Sequence, residues 1–357
     1  MKIAVTGYYG TGSSAVIDFL REFSSCECAI GSRYEHYPFL GKNALFDLEN
    51  RLFSNSSNYM IRDYAINEFI DEMERQNKYN FGWFGSYKKL FGNKFMNAVW
   101  EFINSISVEK KCKSFTQVKK IKHTPLKAFL QLGARVILKR KIHDLGRVYV
   151  YDKKPIRFLT VNHEEFMKSA KKLVNSYFNM CQIEEKHMIY DHLVLPEQAN
   201  LVERFFDDDF KLIIVDRDPR DVYLLSEHYW STVKYGSQPG IYPDGVEGFC
   251  NHWAKTHEYL KKAYTLTKNV LFVQFEDLVY KYEETTKKII NFCGLKEEDH
   301  IKKQQIFDPS KSINNTQIFN LKDEYNTEVE KINQNLETLI YNFPYQKKEN
   351  AGEIFDN

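Results

Sequence analysis

The sequence KIAVTGYYGTGSSAVIDFLREF, at residues 2–23, joins a short apolar run, a glycine-rich turn and a second apolar segment. Lys2–Thr6 is typical of a buried strand, and Ala15–Phe23 has the apolar spacing of a helix. The turn between them contains Gly7, Gly10 and Gly12. Glycines let the backbone approach an anion closely, and the unpaired N–H groups and dipole of the following helix favour negative charge. The stretch predicts a phosphate-binding turn; the alternative is a tight connection that binds nothing.

The glycine turn departs from two common phosphate-binding motifs. The spacing from Gly7 to Gly12 suits a nucleoside-triphosphatase loop, but Ser13 stands where that motif needs a lysine. A dinucleotide site has the order Gly-x-Gly-x-x-Gly, whereas the glycines here are ordered Gly-x-x-Gly-x-Gly. The turn therefore indicates a phosphate site without specifying the ligand.

Length and composition set outer bounds on the protein. The 357 residues, 43% of them hydrophobic, suffice for one large α/β domain or two smaller ones. The formal charge of +2 gives no overall field that favours nucleic acid, and no such partner is expected. Neither a signal peptide nor a membrane-spanning run is apparent, so we expect a cytoplasmic location. The cysteines fit free core thiols better than a disulfide or metal site: Cys26, Cys28, Cys112, Cys181, Cys250 and Cys293.

Further apolar runs alternate with helical patterns along the chain. Strands are predicted at Cys26–Ile30, His187–Tyr190, Leu212–Val215 and Val270–Val273, and helices at Phe166–Cys181, Glu197–Phe206, Val246–Leu266 and Glu283–Cys293. Because these strands are apolar throughout, they favour a parallel sheet covered on both faces. We predict a three-layer α/β fold with a central parallel sheet, a P-loop-like nucleotide site and a helical insertion. A single domain is expected at residues 1–345, with the insertion at about 90–183, and residues 346–357 are expected to form a C-terminal tail.

Two stretches of the insertion region have a composition that suits an acceptor or a surface. Lys110–Arg147 is strongly basic, which suits a platform for an anionic acceptor, an anionic membrane surface or simply a solvated helical face. Phe81–Tyr87 is rich in aromatic residues, which stack on sugar rings in some proteins but more often form core. We interpret the aromatic stretch as core.

A charged run follows the most apolar strand and makes the family resemblance specific. Val215–Val222, VDRDPRDV, resembles the second signature of sulfotransferases that use 3′-phosphoadenosine 5′-phosphosulfate (PAPS). Thr11–Ser14 matches the last four positions of their first loop. Phe275–Leu278 and Asp308–Thr316 resemble their late conserved segment and their nucleotide-closing segment. Independently, Arg217 is a planar fork suited to a phosphate, although it could instead pair with neighbouring carboxylates.

The resemblance implies PAPS as co-substrate, with Arg217 on its 3′-phosphate and no metal. The implied cofactor-binding residues are Gly10, Thr11, Gly12, Ser13, Ser14, Arg217, Ser226, Lys311, Ser312 and Asn315. Two positions depart from the family pattern. The family's serine eight residues after the arginine is Leu225 here, with Ser226 next to it, and its basic loop residue is Gly10. Arg33 or the basic insertion is then expected to neutralise the leaving charge.

The implied reaction moves a sulfuryl group from PAPS to a hydroxyl or amine. Asp191-His192-Leu193 resembles the family's Thr-His-Leu-Pro segment, so His192 is the first candidate for the base. Glu35 is the second candidate, because members of the family that act on polysaccharides often use a glutamate near the end of the second strand. The acceptor is expected to be a carbohydrate, and the composition rich in Lys, Asn and Ile suggests a bacterial source. Two alternatives stay open: a nucleoside-triphosphate kinase or hydrolase with Asp216 on magnesium, and a non-catalytic nucleotide-binding relative.

Overall fold

The structure, a computed structural model, describes residues 1–8, 10–110, 155–230, 242, 244–264 and 268–347. Most of the basic stretch predicted as a platform, including 119–123 and 139–141, lies outside these ranges. Within the described ranges, no helix combines the length and the apolarity that crossing a bilayer demands.

The described strands form one parallel sheet and one antiparallel pair. They are β1 (Lys2–Gly7), β2 (Cys26–Cys28), β3 (Ser107–Lys110), β4 (Ile156–Leu159), β5 (His187–Asp191), β6 (Phe210–Asp216) and β7 (Val270–Gln274). The parallel sheet has the order β2-β5-β1-β6-β7, and β3 pairs with β4. Val5 of β1 is in register with Asp191 of β5 and with Ile213 of β6. The carboxyl ends of β1, β5 and β6 therefore meet at one edge, where open α/β sheets bind ligands.

Successive side chains on the central strands of the parallel sheet enter two different cores, as the alternation of a strand requires. Leu212 and Ile214 of β6 lie in one core, and Ile213 and Val215 lie in the other. Helices cover both faces, so the predicted three-layer α/β class is confirmed.

The helices follow the predicted pattern with small shifts at their ends. The α-helices among the described residues are α1 (Ser13–Leu20), α2 (Leu45–Phe53), α3 (Tyr59–Lys78), α4 (Tyr87–Phe91), α5 (Lys94–Ile106), α6 (His163–Cys181), α7 (Val202–Phe205), α8 (Pro219–Leu224), α9 (Gly245–Tyr264), α10 (Phe275–Tyr280), α11 (Tyr282–Cys293), α12 (Pro309–Ser312) and α13 (Asn326–Asn335). The helix predicted at Glu197–Phe206 is instead a 3₁₀ turn, Pro196–Leu201, followed by α7. Short 3₁₀ turns of this kind are common where an α-helix begins.

The region predicted as a helical insertion contains α5, α6 and the β3–β4 pair among its described residues. Asn162 and Glu165 form a reciprocal capping box at the start of α6, with both hydrogen bonds 2.9 Å long. Phe102 of α5 and Phe166 of α6 share a core with Tyr190 of the sheet. These helices therefore pack within the same core as one face of the sheet.

Candidate active site

A cleft of about 500 Å³ lies at the edge where β1, β5 and β6 end. The glycine turn, the loop after β2, the ends of β5 and β6 and the segment 306–315 form its walls. Of the residues proposed from the sequence, it is lined by Gly10, Gly12, Ser13, Ser14, Arg33, Glu35, His192, Arg217, Ser312 and Asn315. The fold thus brings into one cavity residues that are up to 305 positions apart, Gly10 and Asn315 being the ends of that span.

The glycine turn is shaped by close packing at Gly12. Its φ is +90°, and a Cβ there would lie 2.6 Å from Cδ2 of Phe275. The hydroxyl of Thr11 donates to the carbonyl of Tyr8 at 2.8 Å, so Thr11 braces the turn from inside and does not line the cleft. Among the described side chains none caps the start of α1, which leaves its first N–H groups to an anion.

Arg217 crosses the base of the cleft toward this turn. Its Nη1 donates to the carbonyl of Gly10 at 2.9 Å, and its Nη2 donates to the carbonyl of Asn315. The guanidinium lies over the ring of Phe275, 4.8 Å from the centroid, and its buried Nε has no hydrogen-bond partner among the described residues. A buried donor without a hydrogen-bond partner destabilises the folded protein. Such a donor is expected where an anionic ligand binds.

Three carboxylates lie near Arg217, but none of them forms an ion pair with its guanidinium. Burial lowers the pKa of Arg217 below its usual range, while the carboxylates of Asp221, Glu276 and Asp218 raise it. Within the described part of the chain, no ion pair is formed between Arg217 and these groups. Asp218 instead pairs with Arg220 at 2.7 Å. The alternative that this run of charges only pairs with itself therefore holds for Arg220 but not for Arg217.

Asp191, His192 and Glu35 converge at the other end of the cleft. Nδ1 of His192 lies 2.6 Å from Oδ1 of Asp191, and Tyr37 donates to Glu35 at 2.5 Å. Burial lowers the pKa of His192, but the hydrogen bond to Asp191, the charges of Asp191 and Glu35 and the backbone of Gly7 raise it overall. Because a carboxylate accepts at Nδ1, the neutral ring carries its lone pair on Nε2.

The same trio has donor atoms within 4.8 Å of one another, a spacing that a cation could use. One oxygen of each carboxylate and Nδ1 of the ring are already engaged in the hydrogen bonds described above. We therefore assign no metal to them, and the absence of a metal requirement stays a prediction.

Trp83 is a residue of the cleft that the sequence interpretation placed in the core. Its side chain is half exposed and lines the cavity, whereas Phe81 and Phe84 behind it are stacked with centroids 4.6 Å apart. Asp191 was also missed as a functional group, although its position beside His192 at the end of β5 was a signal. Phe275 was missed because it contacts Gly12, a residue far away in the sequence.

Three of the residues proposed for the cofactor do not line the cleft, and these are Thr11, described above, Ser226 and Lys311. For them the structure corrects the sequence interpretation. Ser226 is buried in a π-helical turn after α8, and its hydroxyl donates to the carbonyl of Tyr223 at 2.8 Å. Lys311 is exposed and is not among the lining residues.

Asp216 is not available as a magnesium ligand of the kind that a nucleoside triphosphatase uses. Its Oδ1 accepts from the backbone N–H of Arg217 at 2.8 Å, and its Oδ2 lies 2.7 Å from Nε2 of His257. Both carboxylate oxygens are thus committed within the buried structure. This arrangement disfavours the nucleoside-triphosphatase alternative.

A second, larger depression of about 830 Å³ is lined by parts of α2 and α7. It contains none of the residues proposed from the sequence. His163 lies 2.7 Å from Glu49, and Arg204 also pairs with that carboxylate. The charged side chains of this depression thus pair with one another. The smaller cleft is therefore the better candidate for the active site.

Comparison with known proteins gives one family. Residues 2–337 match the family model described as sulfotransferase domain. Over 96 residues the chain is 29% identical to sulfotransferase 2A1 of Macaca fascicularis, a match that covers 25% of this chain and 33% of that relative. A sulfotransferase domain from the Synechococcus PCC 7002 olefin synthase is 14% identical, with 96% of each chain covered and a TM-score of 0.39. A retinol dehydratase in complex with androsterone and the inactive cofactor PAP is 14% identical, with 96% of this chain and 82% of that one covered and a TM-score of 0.31.

Proposed function

Because the chain belongs to the sulfotransferase domain family, we propose that it transfers a sulfuryl group from PAPS to a hydroxyl or amine of a carbohydrate acceptor. The observation that carries the donor assignment is the position of Arg217. Its guanidinium is buried, reaches the glycine turn and has an unpartnered Nε. A planar cation in this position suits a phosphate group of an adenosine bisphosphate.

The glycine turn supplies the second half of the donor site. The uncapped start of α1 presents N–H groups and the positive end of the helix dipole to the 5′-phosphosulfate. Ser312 and Asn315 form the opposite wall, and the carbonyl of Asn315 is held by Arg217. The nucleotide would therefore lie between the amino-terminal turn and the segment 306–315.

The chemical step is an in-line displacement at sulfur. The acceptor oxygen or nitrogen forms a bond to sulfur, and the bond between sulfur and the bridging phosphate oxygen breaks, which releases 3′,5′-ADP. Nε2 of His192 takes the acceptor's proton, and the resulting imidazolium is stabilised by Asp191 and Glu35. Asp191 acts as a positioning residue, because its hydrogen bond fixes the ring orientation and leaves Nε2 as the base.

Gly10 leaves the bridging oxygen without the lysine or arginine that the family resemblance implies. Of the Lys and Arg side chains that the structure describes, only Arg33 and Arg217 line the cleft. We assign Arg33, which is exposed at the cleft wall, to the developing charge on the bridging oxygen. Backbone N–H groups of the glycine turn contribute to the same stabilisation.

A cytoplasmic location is part of the proposal. The five cysteines that the structure describes are free and buried, which suits a reducing compartment. The bacterial source and the predicted membrane or acceptor contact of the basic insertion rest on the sequence alone.

Calorimetry of the full chain with 3′,5′-ADP, PAPS and ATP with magnesium tests the function. We expect 3′,5′-ADP to bind and ATP with magnesium to bind more weakly. Transfer of labelled sulfate from PAPS to a pool of glycans should follow. A preference for ATP with magnesium would overturn the assignment, and tight 3′,5′-ADP binding without any transfer would favour the non-catalytic relative.

A further inference from the structure

Two aromatic side chains on the loop between α3 and α4 are exposed to the same degree but face different surroundings. Trp83 is 50% exposed and lines the cleft, and Tyr79 is 51% exposed and does not. Single exposed apolar side chains are common on protein surfaces, so exposure alone distinguishes neither residue. Trp83 differs from Tyr79 because its side chain lines the same cavity as His192 and Arg217.

The loop that carries Trp83 is tightly constructed. Asn80 and Gly85 form an antiparallel bridge, and the hydroxyl of Tyr34 donates to the carbonyl of Gly85 at 2.7 Å. Gly85 has a φ of +89°, and a Cβ there would lie 2.4 Å from the carbonyl oxygen of Tyr79. A loop held in this way fixes the position of its tip, which is what a binding platform requires.

The tip is also attached directly to the catalytic end of the cleft. The carbonyl of Trp83 accepts a hydrogen bond of 2.8 Å from the backbone N–H of Glu35. His36, the next residue, donates from its backbone N–H to the carbonyl of Asp191 at 2.9 Å. Trp83 is therefore connected through two backbone hydrogen bonds to the Asp191–His192 pair.

The charges around this end limit the class of acceptor. Glu35 and Asp191 lie together at this end of the cleft, and Arg33 is a lining cation. Asp18 also lines the cleft, but it pairs with Arg21 at 2.7 Å. Carboxylates accept hydrogen bonds from hydroxyl groups and repel anionic groups. An indole face packs against the C–H surface of a ring. These features together suit a neutral ring that carries several hydroxyls.

We propose that Trp83 is the platform on which a neutral sugar ring of the acceptor stacks, with its hydroxyls facing Glu35 and Asp191. This proposal rests on the proposed function and deepens it by specifying the acceptor subsite. It differs from the expectation of an anionic acceptor on a basic platform, because the described acceptor end is acidic. The reacting hydroxyl lies toward His192, and acidic sugars are excluded by the two carboxylates.

The test uses the full chain saturated with 3′,5′-ADP, which occupies the donor site and prevents turnover. Methyl glycosides of glucose, galactose, mannose and N-acetylglucosamine are titrated by ligand-observed NMR, with methyl glucuronide as the anionic comparison. We expect at least one neutral glycoside to bind and methyl glucuronide to bind at least tenfold more weakly. Trp83→Ala should weaken the neutral glycoside about tenfold, and Trp83→Phe should retain most of the affinity.

Tyr79→Ala is the matched control, since it removes an equally exposed ring from the same loop outside the cleft. It should leave glycoside affinity unchanged, and all three variants should bind 3′,5′-ADP as the natural chain does. Equal losses in Trp83→Ala and Tyr79→Ala, or no binding of any neutral glycoside, would overturn the platform. Failure of 3′,5′-ADP itself to bind would instead overturn the proposed function, so the two failures are distinguishable.

Discussion

Nη1 of Arg217 donates a hydrogen bond of 2.9 Å to the carbonyl of Gly10, a residue 207 positions earlier in the chain. The contact joins the end of β6 to the glycine turn, and Nη2 holds the carbonyl of Asn315 on the opposite wall. One guanidinium therefore spans the base of the cleft. The unpartnered Nε leaves it with bonding capacity for a ligand.

Arg217→Lys should weaken 3′,5′-ADP binding by about 10- to 100-fold, because hydrogen bonds to charged groups contribute roughly 1.5–3 kcal/mol each. Lysine keeps the charge but cannot bridge the glycine turn and Asn315 as a fork does. Calorimetry measures the change. Lys311→Ala is the comparison, because this exposed side chain lies outside the cleft and its removal should change affinity little. The reverse order of effects would move the nucleotide site away from Arg217.

His192→Ala should lower kcat by about 10²- to 10⁴-fold, the usual contribution of a general base. Asp191→Asn should move the acidic limb of the kcat/KM profile to lower pH. The base acts when it is unprotonated, and Asp191 raises the pKa of His192 against the lowering effect of burial. Removing the charge of Asp191 should therefore lower this pKa and extend activity to lower pH. Stopped assays of sulfate transfer across pH provide the measurement.

Glu35→Gln separates the two candidate bases. The charge of Glu35 raises the pKa of His192 less than Asp191 does, so the acidic limb should shift in the same direction by a smaller amount. A nearly complete loss of kcat in Glu35→Gln, with activity retained in His192→Ala, would make Glu35 the base.

Gly12→Ala should destabilise the fold more than Gly41→Ala does. Both glycines have φ near +90°, which costs about 1–2 kcal/mol for an L residue. The Cβ at Gly41 meets nothing within 4 Å, whereas the one at Gly12 meets Phe275. We expect a further loss of about 1–3 kcal/mol from this overpacking in urea unfolding. Similar losses in both variants would mean that Phe275 moves aside at no cost.

Glu276→Gln should change how stability depends on pH. Burial, with the charge of Asp218, raises the pKa of Glu276 to about 8 from its ordinary 4.5. The folded chain therefore keeps a proton that the unfolded chain releases between these values, and stability from this group falls as pH rises from 4.5 to 8. The glutamine of the variant cannot titrate. The free energy of unfolding of the variant, relative to that of the natural chain, should therefore rise by a few kcal/mol between pH 4.5 and pH 8.

Thermal unfolding at several pH values checks this dependence. The exposed Glu283→Gln serves as the control, and its unfolding curve should follow that of the natural chain at each pH. A constant difference between Glu276→Gln and the natural chain from pH 5 to pH 8 would contradict a buried, protonated Glu276.

Local pattern was sufficient for most of the fold. The apolar runs that become β1, β5, β6 and β7 are visible because a strand buried on both faces needs apolar residues throughout. The capping residues of α6 and the glycine turn are also local features. For the same reason, the sequence alone predicts Arg217 at the end of a strand.

The failures share one physical cause, which is that side-chain surroundings depend on distant segments. Ser226 could not be placed because the π-helical turn after α8 rotates it into the core, where it bonds Tyr223. Trp83 was expected in the core, yet a loop held by Tyr34 and Glu35 presents it to the cleft. A sequence shows that a residue is aromatic but not which surface its loop will face.

The sequence by itself determined the layered α/β class, the glycine turn and the cation at the end of β6, because each depends on residues close together in the chain. Only the tertiary structure decided that Arg217 reaches Gly10 and Asn315, and that Asp191 and Glu35 flank His192. These relationships arise from strand order and loop packing. They bring together groups that no local propensity connects, and the proposed chemistry depends on them.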